Sequence, residues 1–134
     1  MRQLHDHKIT PANERLEIEV TDKPGAGGAN HKYEITGFDT AGNPSKEGET
    51  GYAHSFSRLV VLFQNGTIPE AGNNGVTEQA LVAIVMDRLR SFQAGPFACR
   101  ENALALTKLE EAMLWMHART LKRVARGVEG KHVA

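Results

Sequence analysis

Cysteine occurs once in 134 residues, as Cys99. A lone thiol excludes an internal disulfide framework and a multi-cysteine zinc site, and it suits a reducing cytosol. Neither sign of charge prevails: sixteen Lys and Arg stand against sixteen Asp and Glu, for a formal net charge of zero. That balance excludes the basic footprint of a typical DNA-binding domain and the acidic excess of a disordered tail. It also weakens the repulsion that keeps copies of a chain apart. No apolar run approaches the ~18 residues of a membrane span, and the opening MRQLHDHKITPANE lacks the apolar core of a signal peptide. These absences predict a soluble protein of the cytoplasm, with neither membrane nor DNA among its partners. Internal repeats and heptads of coiled-coil length are missing too. So is the phosphate-loop pattern G-x-x-x-x-G-K-S/T, which FQNG at 63–66 does not match. The length suits one domain, or a small domain with a helical appendage.

What is present changes character along the chain. Residues 1–76 hold seven Lys/Arg against ten Asp/Glu, whereas residues 98–134 hold seven against four. In the first part the apolar period is two. Leu16, Ile18 and Val20 alternate with Glu17, Glu19 and Thr21, and Tyr33, Ile35 and Gly37 alternate after the turn-forming KPGAGGAN. TAGNPSKEGETG reads as loop. HSFSRLVVLFQ supplies a further strand through Phe56, Val60 and Val61. A small antiparallel sheet of three or four strands with one covered face is expected, over residues 1–71.

From residue 72 the period is helical. Thr77 is an N-cap candidate after GNNG, and Leu81, Ile84, Val85, Arg88, Leu89 and Phe92 recur at three and four, giving a helix over 78–93. Gly95-Pro96 stops it. A second helix is expected from about Ala98 to Arg126, about 28 residues or ~42 Å. The class is α+β, with a sheet domain over 1–71 and a helical hairpin over 72–134. Leu106, Leu109, Met113 and Met116 define one face of the long helix, while Leu114, Trp115 and Leu121 extend onto another. A surface helix ordinarily has one apolar stripe, so the second predicts self-association.

Few residues offer chemistry. His5 and His7 flank Asp6, and His31 and His54 fall in the strand region, but no spacing converges them on a metal. The N-terminal trio reads as polar surface on a frayed end. Cys99 opens the long helix, where the dipole lowers a thiol pKa, yet no His–Asp pair accompanies it, and it reads as a buried structural residue. Glu110 and Glu111 point ~100° apart and read as a solvated face. Neither catalytic nor metal-binding residues are assigned, and no cofactor. Arg119 and Arg123 are different: four apart, they share a face and can grip phosphate as forks, although cations at a helix C-terminus also complement its dipole. At 100° per residue, Asn102, Leu109, Ala112, Met116, Arg119 and Arg123 fall within a sector of about 100°. An amide, an apolar wall and two guanidinium groups suit a nucleotide-like ligand. Phe92 offers a ring for stacking, or for the core.

Residues 72–132, GNNGVTEQALVAIVMDRLRSFQAGPFACRENALALTKLEEAMLWMHARTLKRVARGVEGKH, resemble the helical-hairpin domain shared by phage anti-Thoeris and anti-CBASS signal sponges. GPFACRENALALTKLEEA (95–112) and GVEGKH (127–132) are the most specific pieces. The sheet ahead of the hairpin is similar to the anti-Thoeris branch. FQNGTIPE (63–70) resembles the connecting loop, with Thr67 where the family has proline. The resemblance implies a homohexamer in the bacterial host's cytoplasm that sequesters cyclic ADP-ribose isomers, and for some members cyclic di- or trinucleotides, without cleaving them. It implies a stacking aromatic at Phe92, an amide at Asn102, arginines at Arg119 and Arg123, and a contact from the sheet or its exit near Thr67.

Asn102 and Arg119 lie seventeen positions apart, ~25 Å on one straight helix. One small ligand touching both therefore needs two protomers with antiparallel long helices. Two other readings stay open: an enzyme that degrades the same signals, and a helix-hairpin nucleic-acid-binding or scaffold protein.

Overall fold

The computed structural model describes residues 1–10, 14–46 and 57–126. His54, Phe56 and the GVEGKH segment lie outside the described residues. The architecture is α+β, and the chain divides into two compact units, Met1–Phe63 and Gln64–Ala134.

The first unit is a four-stranded antiparallel sheet in sequential order: β1 (Arg2–Leu4), β2 (Glu17–Val20), β3 (Lys32–Thr36) and β4 (Leu59–Leu62). Period-two alternation fixes which side chains share a face. The register stacks Leu4, Ile18, Ile35 and Leu59 in one row, with Val20, Tyr33 and Val61 in the next. Val20, 1% exposed, is the best-buried apolar side chain of the unit, and Phe63 meets Tyr33 edge-on at 5.7 Å. The opposite face carries Gln3, Glu19, Glu34 and Val60.

One sequence expectation fails here. The N-terminus is not frayed, because Arg2–Leu4 pairs with β2 as an edge strand and His7 Nε2 lies 2.7 Å from the Leu16 carbonyl. Three residues are too few to show a period, and only the neighbouring strand reveals them. Gly37 is also more than an apolar-register position. It sits at φ 91°, and a Cβ there would collide with the Arg15 carbonyl.

Three carboxylates tie the sheet unit together. Lys8 donates to Glu17 at 2.8 Å, and this bond holds the Glu17 pKa below its ordinary value. Burial pushes Asp22 up, but the backbone N–H groups of His31 and Lys32 outweigh it and leave the pKa lowered. Glu34 is likewise raised by burial and lowered on balance by the Thr21 hydroxyl and the Arg58 and Lys32 cations. Carboxylates with depressed folded pKa values stabilise the fold above their unfolded values and lose that contribution as pH falls through the folded ones. The sheet's thermal midpoint is therefore expected to be flat from about pH 7 to about pH 5 and to drop below about pH 4. Circular dichroism melts across this range check it, and an unchanged midpoint at pH 3 would remove these carboxylates from the account.

The second unit begins with a locked loop. Gln64 Nε2 donates to the Gly72 carbonyl at 2.7 Å, and Asn74 Nδ2 donates to the Asn65 carbonyl at 2.6 Å. Part of the expected connecting loop is helical, since α1 (Ile68–Ala71) follows Thr67 at its N-cap position. Helix α2 (Glu78–Gln93) starts where Thr77 Oγ1 accepts the Ala80 N–H at 3.2 Å, as its sequence leads one to expect. Helix α3 (Arg100–Ala125) runs 26 residues, or ~39 Å. The two pack antiparallel, with Gln79 against Thr120 at 3.4 Å and Arg90 paired to Glu110 at 3.3 Å.

Cys99 corrects a second expectation. It is exposed, not buried, and caps α3 by accepting the Asn102 N–H on its sulfur at 3.4 Å. The turn after Gly95 keeps it outside the seam between the helices.

Candidate functional site

The seam of α3 decides which of its side chains can face a ligand. Asn102, Leu106, Leu109, Met113, Met116, Thr120 and Arg123 recur at four and three and are half-buried or buried. Met86 of α2 is 7% exposed. The sector that sequence reasoning drew from Asn102 to Arg123 is therefore split. Asn102, Leu109, Met116 and Arg123 belong to the covered seam, while Ala112 and Arg119 stand outside it. The error is small in angle and large in consequence, because a 100° sector spans both a seam and its shoulder.

Two hollows meet at the C-terminal half of α3. One, about 290 Å³, is lined by Trp115, Ala118, Arg119, Lys122, Arg123 and Arg126. The other, about 770 Å³, lies between the start of α2 and α3 and is lined by Thr77, Glu78, Gln79, Met116, His117, Arg119 and Thr120. Arg119 borders both, exposed, at the rim they share. Arg123, 8% exposed, forms the floor of the smaller one. Four cationic side chains around so small a volume create a field that favours an anion, and guanidinium forks match phosphate oxygens two at a time.

Phe92 and Asn102 occupy the opposite end of the hairpin, beside the turn. The Arg88 guanidinium lies 5.2 Å from the Phe92 ring centroid, and Phe97 approaches the ring edge-on at 6.4 Å. Gln93 Oε1 accepts the Cys99 N–H at 3.0 Å and steadies the turn. Asn102 lies in the first turn of α3, half-buried. Because α3 is unbroken, Asn102 and Arg119 of one chain are ~25 Å apart. Arg119 and Arg123 are brought together, whereas Phe92 and Asn102 are not joined to them within one chain. Thr67 is buried before α1 and lines neither hollow. His5 and Asp6 are exposed, and among the described residues no group of three or more metal-ligating side chains gathers.

Residues 57–121 match the family profile described as Acb2/Tad1, hairpin domain. The matched segment is a hairpin domain of the Acb2/Tad1 type. A relative from Bacillus phage SBSphiJ7, named Thoeris anti-defense 1, is 45% identical over 95 residues, covering 71% of this chain and 66% of the relative. That span falls just short of two thirds of the relative's length. The Acb2/Tad1 match takes in α1, α2 and α3 as far as Leu121, so it includes Arg119 and ends before Lys122, Arg123 and Arg126.

Sequence reasoning did not assign Trp115, Lys122 or Arg126 to the site. Trp115, Arg119, Lys122 and Arg126 recur at four, three and four, a spacing visible in the sequence alone. Gln79 and Glu78 were out of reach, because only the packing of α2 on α3 brings them to the rim.

Proposed function

We propose that the protein is a phage anti-Thoeris sponge, which binds a cyclic ADP-ribose-type signal and holds it without cleaving it. The observation that supports this reading most is the cationic hollow at Arg119 and Arg123, in a chain with a relative named Thoeris anti-defense 1. The signal's pyrophosphate suits the arginines. Its base suits Phe92 and the Asn102 amide, contributed by a second protomer whose α3 runs antiparallel. Thr67 is the proposed contact near the exit from the sheet, and cyclic di- or trinucleotides are further ligands of the same chemistry.

An uncovered apolar stripe on α3 supports an assembly of this kind. Leu114 and Leu121 are 69% and 67% exposed on α3, away from the seam, and one-chain packing leaves them uncovered. A hexamer in the host cytoplasm is the assembly we propose, with a well-folded 14.7 kDa species in light scattering as the result against it.

One observation favours a second reading. Glu78 and His117 both line the larger hollow beside Arg119, and a carboxylate with an imidazole is a general acid–base set for hydrolysis. A single experiment separates the two. The protein is saturated with cyclic ADP-ribose, washed, unfolded by heat, and the released nucleotide weighed by mass spectrometry. Holding predicts intact ligand at no more than one equivalent per site. Ring-opened product accumulating beyond one equivalent per site in the incubation medium and wash, and abolished by His117→Ala, would make the protein an enzyme.

A further inference from the structure

Trp115 is the most conspicuous side chain that the proposed binding scheme leaves unused. It is 70% exposed, and it is the single tryptophan of the chain. Helical spacing puts it on one stripe with Arg119, Lys122 and Arg126, about 100° round the helix from Leu114 and Leu121. All four border the same hollow of about 290 Å³. Among the described residues no carboxylate lies within ion-pair distance of Arg119, Lys122 or Arg126.

An indole flanked by three cations is a poor surface for a second copy of the same stripe, because like charges would meet over an apolar patch. Its complement is an anion that also carries a planar ring. A base or nicotinamide-like ring lies flat on an indole, and phosphates attached through a sugar reach guanidinium groups one or two turns along. Volume sets the share taken by this hollow. At about 290 Å³ it is at the lower end of ligand pockets and holds a ring with its nearest phosphate. The rest of a larger ligand passes over Arg119 into the adjoining space of about 770 Å³.

We infer that Trp115 is a stacking residue of the phosphate-binding site, taking a planar ring of a nucleotide whose phosphates lie on Arg119, Lys122 and Arg126. The inference deepens the sponge reading and rests on it for the identity of the ligand. It adds Trp115 to the partner protomer's Phe92 as a second aromatic contact, the two rings taking opposite faces of the ligand's one base.

The lone tryptophan makes the test direct, since stacking alters its emission and no other indole contributes. The full-length protein is titrated with cyclic ADP-ribose, ADP and inorganic pyrophosphate, with binding measured in parallel by mass analysis of retained nucleotide. Cyclic ADP-ribose is expected to quench the emission saturably, at the same midpoint as its retention. Pyrophosphate is expected to compete without quenching, because it has no ring. Trp115→Leu should weaken retention about ten- to a hundredfold, and Trp115→Phe should recover most of it. Light scattering on each variant checks that the assembly is intact.

The outcomes separate the two ideas. Retention of cyclic ADP-ribose with unchanged emission, and with Trp115→Leu binding like wild type, would overturn the role of Trp115 and leave the sponge standing. No retention of cyclic ADP-ribose, but quenching by ADP that Arg126→Ala abolishes, would overturn the sponge and keep Trp115 as a nucleotide-stacking residue. Loss of retention in both Trp115 variants together with a smaller particle, and no quenching in wild type, would assign the indole to an interface and overturn the inference.

Discussion

Mixing two inactive variants is expected to restore about a quarter of the binding sites. The expectation comes from one distance. Asn102 and Arg119 stand at opposite ends of an unbroken helix, ~25 Å apart, so a single cyclic nucleotide touching both takes them from different protomers. Asn102→Ala and Arg119→Ala homo-oligomers should each bind poorly at every site. Co-expressed in equal amounts, they form mixed pairs about half the time. Each mixed pair gathers both defects in one site and leaves the other intact, which gives the quarter. Titration of the mixture with cyclic ADP-ribose, at protein concentrations well above the wild-type dissociation constant, reads the recovered fraction. A mixture no better than its parents would show that one of the two residues has been misassigned.

Replacing Arg123 should lower affinity about ten- to a hundredfold, as loss of a charge-assisted contact does. Its position makes the expectation sharper than spacing alone allowed. Arg123 is 8% exposed on the floor of the small hollow, whereas Arg119 is exposed at the rim. A guanidinium held by its surroundings loses little freedom on binding, and lysine cannot reproduce its planar fork. Arg123→Lys should therefore recover only part of the affinity lost in Arg123→Ala. Because Arg123 is buried, melts of each variant belong beside the binding curves. Equal affinity in all three well-folded proteins would leave Arg123 a role in the helix alone.

These two experiments address different parts of the site. The first asks whether the pocket spans two protomers, and the second asks what holds the phosphate. The acid titration of the sheet unit bears on neither, since Glu17, Asp22 and Glu34 belong to the other compact unit.

Much of the architecture was legible in the residues themselves. Alternation over Leu16–Thr21 and Tyr33–Gly37 reports strands because a half-covered sheet repeats every two residues. Thr77 and the three-and-four spacing up to Phe92 mark α2 from cap to end, but its covered seam runs through Val82, Met86 and Leu89 and leaves Ile84 and Val85 of the expected stripe exposed. The long helix and its uncovered second apolar stripe were equally plain. The tertiary structure decided what has no local period. It made an edge strand of Arg2–Leu4, whose three residues take their order from β2. It placed Cys99 outside the seam as a cap, and it turned Ile68–Ala71 into helix within an expected loop. Most consequentially, it split one 100° sector into buried Arg123 and exposed Arg119. A helical wheel gives the angle of each side chain, but only the position of the neighbouring helix decides which angle is covered.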